Sequence, residues 1–141
     1  MSGDPGTATT TRRSQAPVLA AVAVGGGIGA LARYELATTW PTAPGHFPWT
    51  TFAINVSGCL LIGVLMVLVT EVRVAHPLVR PFLGVGVLGG FTTFSTYAVE
   101  IHGLLKPGSA GVALAYFGGT LLAAGLAVLT GVAVTRRLAG R

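Results

Sequence analysis

The sequence predicts an all-α integral membrane protein with four transmembrane helices. Three observations lead there. Only 9% of the 141 residues are charged, against about 25% in an ordinary soluble domain. Hydrophobic residues make up 52%, and glycine alone fills 21 positions. The charges are also clustered. Uncharged runs of 19, 35, 19 and 29 residues separate Arg13 from Arg33, Glu35 from Glu71, Arg80 from Glu100 and Lys106 from Arg136. A membrane helix needs about 20 apolar residues, so these runs give four spans with short connections. So few charges cannot coat a water-exposed globule, which excludes a cytosolic enzyme. The high hydrophobicity excludes a disordered chain.

Residues 1–15 are small and polar and read as a disordered tail; residues 16–136 read as a single four-helix domain, and 137–141 as a basic C-terminal tail. Arg12 and Arg13 before an apolar run imitate a secretory signal. The Arg33-Tyr34-Glu35 cluster and the loss of a fourth span argue for a retained helix instead. Span 1 covers 17–39, where Gly25 and Gly29 form a GxxxG pair that lets helices approach closely in lipid. The loop 40–49 carries three prolines between Trp40 and Trp49, whose indoles suit the membrane interface. Span 2 covers 50–70 and contains Asn55, Ser57 and Gly58. Span 3 covers 81–104, and span 4 covers 109–134 with Tyr116 and Thr120.

The net charge of +5 does not point to nucleic acid, because the basic residues flank apolar segments. Seven of them lie in the two tails and the 71–80 loop, against Lys106 and Arg33 on the other side. That bias places both termini in the cytoplasm. Cys59 lies within a span and has no cysteine to pair with. His46, His76 and His102 have no metal-ligand spacing, and no nucleophile–base pair or phosphate loop is visible.

The least ordinary stretch runs from Gly89 to Tyr97, GGFTTFSTY. Glycine weakens a helix by about 1 kcal/mol, and Ser and Thr divert backbone hydrogen bonds. One reading is a break that frees carbonyl oxygens at mid-membrane depth, able to hold a hard cation. The other is an intact helix with hydroxyls bonded back one turn. Asn55 either glues helices or offers its amide N–H groups to an anion, with Thr51 one turn earlier on the same face. Phe94 and Tyr97 share a face, as packing or as electropositive ring edges. Arg33, Glu35 and Glu100 sit near span ends. Arg33 and Glu100 either pair, draw anions into a vestibule, or snorkel.

Gly26-x-x-Gly29-Ala30-x-x-Arg33-Tyr34, Asn55-Val56-x-Gly58 and the run Gly89 to Thr96 through Glu100 resemble the CrcB/Fluc family of fluoride channels. The match covers nearly the whole chain after the tail. The resemblance implies a dual-topology protein of the bacterial cytoplasmic membrane that pairs as an antiparallel dimer and exports fluoride passively. It implies two fluoride pathways along the dimer interface and a structural, untransported sodium ion at the centre. The sodium would be held by the backbone carbonyls of Gly89 and Thr92 from both subunits, in a broken third helix. Asn55 would donate to fluoride and Phe94 would supply a ring edge, with Tyr97 where the family commonly has a second phenylalanine. Ser95 and Thr96 would line the path, with Thr51, Tyr116 and Thr120 along a polar track and Arg33 at the vestibule. Thr120 stands where a serine is usual, and Ala124 lacks a hydroxyl often found there.

An antiparallel homodimer needs one sequence to insert both ways, which the basic bias opposes. The expected partner is either a second copy of this chain or, as the bias favours, an oppositely oriented paralogue. Two other function classes compete. A proton-coupled small multidrug-type transporter wants a carboxylate deep in span 1, whereas Glu35 lies near its end. A non-transporting assembly subunit leaves Asn55 and the Thr92–Thr96 patch without a purpose.

Overall fold

A computed structural model describes residues 15–72 and 75–140. Residues 1–14 of the expected 1–15 tail and the basic residues Arg73 and Arg141 lie outside the described residues. Helix α1 covers Ala16–Thr39 and starts with Pro17 in its first turn, where the missing N–H costs nothing. Its 24 residues rise about 36 Å, enough to cross a hydrocarbon core. The prolines at 41, 44 and 48 and a left-handed Gly45 (φ 78°) then turn the chain. Helix α2 covers Trp49–Val67 and ends in a wider π-wound turn, Leu68–Val72.

The third span has two parts. Helix α3 is π-wound over Arg80–Leu88 and α-wound over Gly89–Phe91, and helix α4 covers Ser95–Leu104. Helix α5 covers Ala110–Leu138. It runs past the expected end of the domain, so Arg137 belongs to its last turn rather than to a tail. The four stretches Ala16–Thr39, Trp49–Val72, Arg80–Leu104 and Ala110–Leu138 are each long and apolar enough to cross a membrane. They match the four expected spans, and no strand occurs among the described residues.

Two helix pairs carry the packing, α1 with α3 and α2 with α5. Glycine makes both possible. A Cβ on Gly25 or Gly29 would collide with the backbone of α3 at Phe82 or Val87, and one on Gly90 with the Gly26 carbonyl. On the other pair, Gly63 and Gly131 leave room for the backbone at Val128 and Leu60. In lipid, where apolar tails compete with side chains, such close backbone contact is what joins helices. A small core of Tyr97, Leu104, Ala113 and Tyr116 closes one end, with Phe47, Phe52, Ile101 and Val112 against it. Outward faces are apolar at Leu31, Leu122, Leu126 and Leu129, as hydrocarbon surroundings require.

Candidate functional site

Helical winding stops at Phe91 and resumes at Ser95. Thr92 is extended there, with φ −72° and ψ 157°. The last helical bond of α3 runs from Thr92 N–H to Leu88 O at 3.0 Å. Each buried backbone group left without a partner costs about 1–3 kcal/mol, so the opened turn needs substitutes. Asn55 of α2 supplies two. Its Oδ1 accepts from Thr93 N–H at 2.8 Å, and its Nδ2 donates to Thr93 O at 2.9 Å. The side-chain amide thus imitates a peptide group and pairs with the backbone as a neighbouring strand would. Its other N–H has no acceptor among the described residues.

Arg33 of α1 supplies a third substitute. Its Nε donates to Gly90 O at 3.2 Å, across 57 positions of chain. Thr93 lies just before α4. Its hydroxyl accepts from Thr96 N–H at 3.1 Å, donates to Thr96 Oγ1 at 3.1 Å and lies 3.3 Å from Ser95 Oγ. The Thr92 hydroxyl bonds back to Leu88 O at 2.9 Å, while its methyl fills the space that a Cβ on Gly58 would need. No hydrogen bond to Gly89 O or Thr92 O forms among the described residues. Among the described residues, no group of three His, Cys, Asp or Glu is placed to hold a metal ion.

A second cluster lies toward the 40–49 loop. Glu100 accepts from Thr51 Oγ1 at 2.8 Å on one carboxylate oxygen and from Tyr116 OH at 2.6 Å on the other. Thr51 and Glu100 face a cavity of about 480 Å³ that His46 and Lys106 also line. Tyr97 is buried and donates to Phe117 O at 2.6 Å. Its ring lies 5.1 Å from Tyr116 and 5.8 Å from Phe94. Phe94 itself is 75% exposed, whereas Thr120, one turn beyond Tyr116, is 4% exposed. Among the described residues, Thr120 Oγ1 is the buried side-chain polar atom with no partner.

The structure therefore gathers Asn55, Thr92, Phe94, Ser95 and Thr96 around the opened turn and brings Arg33 to the same place. Thr51, Tyr97 and Tyr116 form the neighbouring group, with Thr120 on the Tyr116 face. Arg33 and Glu100 do not pair; each has the partners given above. Two residues have contacts that the sequence reading did not assign to them. Thr93 carries the contacts to Asn55, and its hydroxyl takes the Thr96 N–H in the first turn of α4. Glu100 is the common acceptor of two hydroxyls, for which no local pattern exists.

The family described as CrcB-like protein, Camphor Resistance (CrcB), matches residues 20–132. The "Fluoride-specific ion channel FluC 2" of Nocardia farcinica is 58% identical over 123 residues, 87% of this chain and 88% of that one. The "Fluoride-specific ion channel FluC 1" of Streptomyces coelicolor is 58% identical over 126 residues, 89% of this chain and 82% of that one. A Thermobifida fusca protein named "Fluoride-specific ion channel FluC 2" is 50% identical over 128 residues, 89% of this chain and 93% of that one.

Proposed function

The chain belongs to the CrcB family and is a multi-pass protein of the bacterial cell membrane, and from that premise we propose that it is a fluoride channel working by passive export. The observation that carries the reading is the opened turn at Thr92. It sets unpartnered carbonyls beside an exposed aromatic ring and a clamped amide.

Fluoride is small and strongly hydrated, so a dry passage must replace its water without gripping it. In this reading the replacement is a series of weak contacts. The second N–H of Asn55 donates to the ion, and the Phe94 and Tyr97 ring edges flank it. The hydroxyls of Ser95, Thr96 and Thr120 continue the path, and the unpartnered Thr120 Oγ1 supports its place there. Thr51 and Tyr116 extend it toward the mouth, where Glu100 holds both hydroxyls. Outflow then follows the fluoride gradient and the membrane potential.

The carbonyls of Gly89 and Thr92 suit a hard cation such as sodium, because oxygen donors without hydrogen-bond partners match its chemistry. That ion, when bound, offsets the cost of bringing an anion into a low-dielectric seam. Phe94, Ser95 and Gly89 are all exposed, which supports an antiparallel second subunit covering this face and completing the ligand set. The basic bias of the loops favours an oppositely oriented paralogue as that subunit.

Reconstitution into liposomes tests the reading. Fluoride efflux that requires a charge-balancing potassium ionophore, with chloride retained, is the expected result. Equal release of chloride, or efflux that requires a proton gradient, would overturn it.

A further inference from the structure

At the opened turn, neighbouring carbonyls are sorted. Gly90 O is taken by the Arg33 guanidinium and Thr93 O by the Asn55 amide, whereas Gly89 O and Thr92 O take no hydrogen bond among the described residues. Arg33 is placed for this by packing. It lies one turn beyond Gly29 on the α1 face that meets α3 backbone to backbone, and Gly29 abuts the Phe91 N–H. In an unbroken helix Gly90 O would accept from Phe94 N–H; here the guanidinium substitutes for that amide.

We propose that Arg33 is a positioning residue for the cation site: by holding Gly90 O against α1 it leaves Gly89 O and Thr92 O as the carbonyls presented to the ion. The role is distinct from that of a diffuse positive charge at a vestibule. It requires a planar donor at fixed reach, which lysine does not reproduce. It also restrains the turn from the α1 side while Asn55 restrains it from the α2 side. Loss of the Arg33 contact frees Gly90 O to compete for the ion and lets the turn relax.

The inference rests on the cation reading given above, and one experiment separates the two. The purified full chain is exchanged into sodium-free N-methylglucamine buffer and titrated with sodium chloride. Thermal unfolding and, after reconstitution, fluoride efflux are followed against sodium. Arg33→Lys keeps the charge, and Arg33→Gln keeps a shorter donor. The expected result is a rise of about tenfold in the sodium needed for half-maximal thermal shift in both variants, within the range of coupling between two sites. Unchanged elution volume shows that they assemble. A wild-type sodium titration in Arg33→Lys overturns the positioning role but leaves the cation reading standing. A shift in Arg33→Gln alone assigns the effect to charge and overturns it equally. A wild-type protein indifferent to sodium removes the cation reading and this inference together.

Discussion

The lower half of the third span, α3, meets α1 with backbone against backbone, and its contact surface is glycine. The other half, α4, is joined to α2 and α5 by side-chain hydrogen bonds through Glu100, Tyr97 and Thr93. One half is thus held chiefly by shape, with the Arg33 bond to Gly90 O at its end, and the other by polar partners beside a small apolar core. Each half also belongs to a different helix, so the residues between them need not satisfy either helix's winding. That division explains how a turn can stand open in the middle of a span whose surroundings supply no water. It also separates two kinds of fragility. A steric contact between backbones has no way to yield, whereas a polar contact can lose one bond and keep the rest.

The largest effect is therefore expected on the glycine side. Gly90→Val drives a branched side chain into the Gly26 carbonyl and Cα. Overpacking typically costs about 1–3 kcal/mol and at times more, backbone cannot move aside as a side chain can, and the variant should give no monodisperse peak on size-exclusion chromatography. Gly111→Ala meets open space and should elute as wild type. Normal elution of Gly90→Val would mean that α1 and α3 do not depend on this contact.

Next comes the polar side. Asn55→Asp keeps an acceptor for Thr93 N–H but faces Thr93 O with oxygen where Nδ2 now donates. Leaving that carbonyl without a donor costs about 1–3 kcal/mol. Fluoride efflux should fall at least about tenfold while the protein still assembles. Wild-type efflux in this variant would remove Asn55 from both the clamp and the pathway.

The same contrast decides what the sequence could disclose. The four spans were readable because 20-residue apolar runs are a property of composition, which needs no tertiary knowledge. The Gly25–Gly29 pair was readable as a close-approach face, although its partners, the backbone at Phe82, Gly86 and Val87, were not. The stretch 89–97 stood out by its glycines and hydroxyls, and Asn55 by its cost in a span. What stayed hidden is which atom meets which. Asn55 and Thr93 are 38 positions apart, and Arg33 finds Gly90 only because α1 packs on α3. The Glu100 hydroxyl pair depends on three helices converging, and the chain's order of residues carries no periodicity that encodes it. Tyr97 illustrates the limit from the other side: its hydroxyl was visible in the sequence, but the partner of that hydroxyl, Phe117 O, was not.

A smaller effect is expected at Glu100. Tyr116→Phe and Glu100→Gln each remove part of one charge-assisted network, in which single hydrogen bonds are worth about 1.5–3 kcal/mol. A double-mutant cycle on thermal stability should give a coupling of at least about 0.5 kcal/mol, because the two side chains touch at 2.6 Å. Strict additivity would show that Glu100 is held by its other neighbours and that α4 is not tied to α5 through it.

The smallest effect belongs to Tyr97→Phe, which removes the hydroxyl and keeps the ring. The hydroxyl donates to Phe117 O at 2.6 Å, but that carbonyl lies inside α5 and already accepts a helical N–H, so its loss strands no acceptor. The ring itself, stacked at 13° on Phe117 and edge-on to Tyr116, is unchanged by the substitution. A net hydrogen bond is worth about 0.5–1.5 kcal/mol, and the melting temperature should drop by a few degrees at most. Fluoride efflux should stay within about twofold, because the hydroxyl points into α5 and the ring edge toward Phe94 is preserved. A tenfold change in efflux with no change in melting temperature would show instead that the hydroxyl leaves Phe117 and acts on the ion, placing α4 in the conducting path through a group that in this structure only ties it to its neighbour.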